Sequence, residues 1–136
     1  MGPASTGNIP TRYTLVVRIH HVALRTVDPE RLRAFYVDVI GLPERKRQLR
    51  DDGTVRSIWL SAGDTVVMLE AAEHGEPRIP SGSMEMFAFA VNASERTAFR
   101  DRCVAARVAI EAETRFTTYV RDPEGRRVAC SEFAFD

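Results

Sequence analysis

Apolar and polar positions alternate through residues 13–26, a run rich in β-branched side chains, and this period of two predicts a strand. From His21 onward one face carries His21, Ala23 and Arg25, and the other carries Val22, Leu24 and Thr26. The period then changes. Leu32, Phe35, Tyr36, Val39 and Ile40 recur at helical spacing, Asp28 stands where an N-cap belongs, and Pro29 fills the first helical position. Gly41 and Pro43 end the run. Three further strands are predicted at 44–50, 54–61 and 65–71, joined by turns at Asp51-Asp52-Gly53 and Ala62-Gly63-Asp64. The first half of the chain thus reads βαβββ.

The second half repeats that order: a strand at 84–91, a helix from Ser94 to about residue 107, and strands at 108–114, 116–121 and 127–133. The last two strands are joined through the turn Asp122-Pro123-Glu124-Gly125. Phe35 and Phe99 lie 64 positions apart and His21 and Met86 lie 65 apart, so two separate landmarks give nearly one offset. Gly75, Pro77, Pro80 and Gly82 make 73–83 a linker in composition. The expected organisation is a flexible tail at 1–12 and one domain at 13–136, made of modules 13–72 and 84–136. The repeat is imperfect where chemistry would matter, because Met86 stands in the second copy where His21 stands in the first.

Composition narrows the functions available. With 136 residues, 44% of them apolar, the chain is long enough to bury a core. Its formal net charge is zero, which gives no general attraction to nucleic acid or to an anionic membrane. The sequence contains no apolar run long enough for a membrane span, and its start lacks signal-peptide character. Cys103 and Cys130 follow no CxxC or zinc spacing, so the expectation is a reduced, cytoplasmic protein with two buried thiols. Neither a Gly-x-Ser-x-Gly elbow nor a phosphate-cradling glycine loop occurs.

His21-Val22-Ala23-Leu24, then Arg33-Ala34-Phe35-Tyr36 with Ile40-Gly41-Leu42, and finally Arg121-Asp122-Pro123-Glu124-Gly125, together resemble the vicinal oxygen chelate superfamily. That superfamily includes glyoxalase I, fosfomycin and bleomycin resistance proteins and extradiol dioxygenases. The resemblance implies an α+β fold of two βαβββ modules, with a cup-shaped mixed sheet and helices on its convex side. It also implies a divalent ion held by one His or Glu from each of four strands. Carried onto this sequence, the first position is His21, the second Met68 or Glu70, the third Met86 and the fourth Ala129. A thioether does not suit a hard divalent ion, and alanine has no donor.

Alternation places Arg25, Trp59, Met68, Glu70, Met86, Ala129 and Ser131 on the cup face, with Tyr119 as a further candidate. His20 points away from His21 by the same rule. The small residues Ala23, Ala88, Ala90 and Ala129 leave volume for a ligand. The leading expectation is therefore a small-molecule-binding protein, metal-independent, acting as a homodimer without nucleic-acid or membrane partners. His21 and Glu70 are its candidate catalytic groups, and Arg25, Trp59, Met68, Met86, Tyr119, Ala129 and Ser131 its ligand contacts. The alternative is a divalent-metal-dependent lyase, isomerase or dioxygenase in which His21 and Glu70 hold the ion, with a missing donor from substrate, water or His74. Arg126 and Arg127 read as a solvated turn.

Overall fold

The computed structural model describes residues 17–73, 75 and 78–135. The expected tail, the start of the first predicted strand and His74 lie outside the described residues. The first strand, β1, covers His21–Thr26. Asp28 then caps α1 (Pro29–Arg33), its carboxylate accepting the Arg31 N–H at 3.1 Å, as Asp-Pro at a helix start leads one to expect. The helix continues as a wider, π-helical turn, α2 (Ala34–Ile40), which keeps Phe35, Tyr36, Val39 and Ile40 all buried. It stops at Gly41, whose φ of 101° favours glycine, and both Gly41 and Leu42 donate to the Tyr36 carbonyl at 3.1 and 2.9 Å. Strands β2 (Glu44–Leu49), β3 (Val55–Ala62) and β4 (Thr65–Ala71) complete the module.

The second module runs β5 (Met86–Ala90), α3 (Ala93–Ala105), β6 (Ile110–Glu113), β7 (Thr117–Arg121) and β8 (Arg127–Ser131). Its helix begins one residue before the expected Ser94. The reason is a reciprocal cap: Asn92 accepts the Glu95 N–H and Glu95 accepts the Asn92 N–H, each at 2.8 Å. The two sheets have matching orders, β1-β4-β3-β2 and β5-β8-β7-β6, and in each the first strand is a parallel edge strand on an otherwise antiparallel sheet. The registers match as well: Ala23, Met68 and Trp59 align across module 1 as Ala88, Ala129 and Tyr119 do across module 2. Among the described residues no helix is long and apolar enough to cross a membrane.

Alternation decides what is buried. Leu24, Ile58, Leu60 and Leu69 of the first sheet join Val120, Val128 and Cys130 of the second in one apolar core with Leu32, Tyr36 and Phe99. The modules are tied across that core. The Tyr36 hydroxyl donates to the buried Asp122 carboxylate at 2.8 Å, and the Tyr36 ring stacks on Phe87 with centroids 6.2 Å apart. Arg102 of α3 donates to the Val39 and Ile40 carbonyls at 2.8 and 3.1 Å, which satisfies orphan acceptors at the end of α2. The Thr26 hydroxyl bonds Glu124, and Arg126 donates to the Arg25 carbonyl at 2.6 Å. His21, Ala23 and Arg25, like Met86, Ala88 and Ala90, stay exposed. The two faces expected to line a cup are thus both turned outward from the shared core.

The core also holds protons tightly. Burial pushes the Cys103 thiol up to about 11 and the Cys130 thiol up to about 12. Burial, reinforced by Asp122, holds the Tyr36 phenol far above the ordinary tyrosine range. In the unfolded chain thiols titrate near ~8.5 and tyrosine near ~10, so above those values the unfolded state binds fewer protons than the folded one. The associated stability is complete below about pH 8.5 and is lost as pH rises towards the folded values. The urea midpoint should hold between about pH 7 and 8 and fall steeply above about pH 9. A midpoint that stays flat to pH 11 would contradict the buried, protonated placement of these three groups.

Candidate functional site

In module 1 the outward face is built in rows across the sheet. Ala23, Met68, Trp59 and Lys46 form one row and Arg25, Glu70, Ser57 and Gln48 the next. The Trp59 indole N–H donates to the Ser57 hydroxyl at 2.7 Å, and that hydroxyl donates to the Glu70 carboxylate. One buried hydroxyl therefore fixes both the indole and the carboxylate. The Lys46 ammonium lies 5.5 Å from the Trp59 ring centroid, a cation–π contact at the rim. Met68 and Trp59 are half-buried, whereas His21 is exposed at the end of the strand beside Val66.

In module 2 the rows are Met86, Arg127 and Arg121, then Ala88, Ala129 and Tyr119, then Ala90, Ser131 and Thr117. The Ser131 and Thr117 hydroxyls bond each other at 2.7 Å, at the positions where module 1 has Glu70 and Ser57. Ala129 is fully buried on this face and Met86 is 37% exposed.

Register corrects the expected pairing of His21 with Glu70. His21 aligns with Val66 and Arg25 with Glu70, so the two are four residues apart along parallel strands, roughly 13 Å. They share neither an ion nor a proton within one module. Register also bears on the second ligand position. Met68 is the counterpart of Ala129 and Glu70 the counterpart of Ser131, so with Ala129 as the fourth position the internal repeat favours the set His21, Met68, Met86 and Ala129. That set contains one imidazole and no carboxylate, and it does not fit a divalent ion that needs converging nitrogen and oxygen donors. Among the described residues no group of three or more His, Cys, Asp or Glu side chains is placed to hold a metal. His20 does not point away from His21. It precedes the strand, where strict alternation no longer applies, and the two Nδ1 atoms lie 2.9 Å apart.

The sequence reading missed a cluster on the module 2 face. Arg127 opens β8, as the strand predicted at 127–133 has it, but it is not solvated, and its guanidinium lies 4.1 Å from the centroid of the Tyr119 ring. Glu111 accepts from Arg127 at 2.8 Å and from Arg121 at 2.7 Å, and these bonds, Arg121's foremost, hold its carboxyl below the ordinary value. Period-two alternation does put Arg127 in phase with Ala129 and Ser131. The adjoining Asp-Pro-Glu-Gly turn suggests solvation.

A cavity of about 700 Å³ opens on the opposite, helix-bearing side, lined by Val22, Val67, Phe87, Phe89, Cys130 and Arg102 among others. None of the expected catalytic or ligand-contact residues lines it; most of its walls are core-facing residues, with Ala88 and Ala90 of β5 at its edge. The outward faces, not this gap between modules, carry the side chains with chemistry.

Residues 18–129 match the family model described as Glyoxalase/Bleomycin resistance protein/Dioxygenase superfamily. No match was found among curated proteins. The solved fosfomycin resistance protein FosX from Mesorhizobium loti superposes with a TM-score of 0.72 at 14% identity, over 88% of this chain and 94% of that one. A FosX variant from Listeria monocytogenes, complexed with Mn(II) and dihydroxypropylphosphonic acid, gives 0.71 at 13% identity, over 88% and 95%. Lactoylglutathione lyase from Agrobacterium tumefaciens gives 0.59 at 24% identity, over 84% and 92%. At these identities the solved structures speak for the fold, which is the α+β arrangement of paired βαβββ modules. The match over residues 18–129 places this chain in the glyoxalase/bleomycin resistance protein/dioxygenase superfamily.

Proposed function

We propose that this chain binds a small, partly apolar organic molecule, without a metal ion, in a cup that two copies assemble together. The carrying observation is the outward orientation of both cup faces. Within one chain His21, Arg25, Trp59, Met68 and Glu70 lie on one half and Met86, Tyr119, Ala129 and Ser131 on the other, with the core between them. Each half ends at the open edge of its first strand, β1 or β5, and such edges invite pairing with another chain. Setting module 1 of one copy against module 2 of a second brings a Met/Trp wall over an alanine floor. That combination offers apolar volume with a few polar anchors. The two free buried thiols suit a reducing, cytoplasmic setting.

The metal-dependent alternative stands second, because the donor set offers a single imidazole. The Mn(II) bound by a FosX variant is a property of that protein. For the binding reading, light scattering should give twice the chain mass, and a panel of planar aromatic compounds should change the fluorescence of Trp59, the single tryptophan. His21→Ala should weaken binding about tenfold, the loss of one hydrogen bond, and shift stability by less than about 0.5 kcal/mol because His21 is exposed. A monomer that binds nothing in the panel would overturn the proposal.

A further inference from the structure

The module 2 half of the cup is graded in polarity along its strands, and this grading points to the chemical class of the ligand. At one end Arg127 and Arg121 share the single carboxylate of Glu111, which leaves that corner with net positive charge. The Arg127 side chain is only 12% exposed, with its guanidinium against Tyr119. Partial removal from water strengthens what such a charge does to a bound anion. Next along the strands comes a step of little bulk, with Ala88 exposed and Ala129 buried beside it. Ser131 and Thr117 follow, each occupying the other's hydroxyl. Beyond them Phe116 and Phe133 meet edge to face at 5.5 Å, and both are exposed. From Arg127 to Ser131 is four residues, roughly 13 Å of strand.

We infer that the cup takes an organic acid: a carboxylate seated at Arg127 and an aromatic or alkyl body lying over Ala88 towards Phe133. The inference rests on the binding reading above and adds the ligand class to it. Arg127 is the specificity-determining residue. Its planar guanidinium, held by Tyr119 and Glu111, presents a fixed edge to a carboxylate. Glu111 competes with the ligand for the same charge, so its removal should strengthen acid binding.

The test uses the full-length protein and two matched pairs, 4-phenylbutyrate with 4-phenylbutyramide and decanoate with decanamide, titrated by calorimetry and by Trp59 fluorescence. Each acid should bind at least about tenfold tighter than its amide, the preference shrinking as salt is raised. Arg127→Gln should abolish the preference while leaving amide affinity within about twofold, and Arg127→Lys should restore part of it. If Arg127→Gln fails to fold, Glu111→Gln decides the matter, because it should raise acid affinity about threefold or more and leave the amides unchanged. Equal binding of acid and amide overturns the assignment of an acid and leaves the binding cup standing, as does a preference that survives Arg127→Gln. Binding of neither pair overturns the acid assignment, and failure of the aromatic panel as well takes the cup with it.

Discussion

Asp122→Ala should lower the stability of the chain by about 3–5 kcal/mol, which is the usual cost of removing one partner from a buried, fully engaged charge network. The Asp122 side chain is wholly buried. It accepts from the Tyr36 hydroxyl at 2.8 Å, from the backbone N–H groups of Glu124 and Arg126 at 2.8 and 3.0 Å, and from the Arg126 guanidinium at 3.2 Å. Alanine would leave a phenol and two turn amides without their acceptor and would take one of three acceptors from the Arg126 guanidinium. The damage reaches beyond the turn, since Tyr36 belongs to module 1 and Asp122 to module 2. Tyr36→Phe should cost less, about 1–3 kcal/mol, because Asp122 keeps three other donors. Urea unfolding of both variants and of the double variant gives their coupling directly. A loss under about 1 kcal/mol for Asp122→Ala would mean that this network contributes little to holding the two modules together.

Met68→Glu, Met86→His and Ala129→Glu combined should give a chain that retains about one Mn(II) or Ni(II), against none expected for the wild type. The wild-type positions supply one imidazole, and the variant supplies two imidazoles and two carboxylates. A gain of about a thousandfold or more in affinity is expected for going from one donor to four. The geometry makes this a test of assembly as well as of chemistry. His21 and position 68 share one module, while positions 86 and 129 lie on the other, facing away across the core. In the proposed two-copy cup the four donors converge only when two copies meet. Adding His21→Ala to the triple variant should remove most of the gain. Stoichiometric metal in the wild-type protein, measured by elemental analysis after gel filtration, would refute the donor count. A metal-free triple variant that still folds would refute the two-copy cup.

Much of the architecture was legible because local rules and tertiary packing agree here. Asp28-Pro29 announced a helix start, Asp51-Asp52-Gly53 a turn, and the offset between His21 and Met86 a duplication, and each corresponds to an observed element. Alternation also sorts buried Leu24 and Leu69 from exposed Ala23 and half-buried Met68, whereas Ala129 is as buried as Val128. What it does not carry is partnership. A period of two says which face a residue occupies but not which strand lies beside it at what register. Hence Glu70 was grouped with His21, although Val66 is the residue that lies alongside. The Tyr36–Asp122 bond spans 86 positions and leaves no local trace in either segment. Arg127 starts the strand predicted at 127–133, but the turn beside it suggests solvation, and its contacts with Tyr119 and Glu111 come from neighbouring strands.

The outward-facing halves have a genetic corollary. In the proposed pairing every cup draws one wall from each copy. A chain damaged at Arg127 and a chain damaged at His21 would therefore not be equivalent failures. Co-expressed, they form mixed dimers in which one cup inherits both lesions and the other inherits neither. About a quarter of all cups would then be intact, although neither parent possesses a single sound one. Two defective alleles would complement each other, as they would not if each chain closed its own cup.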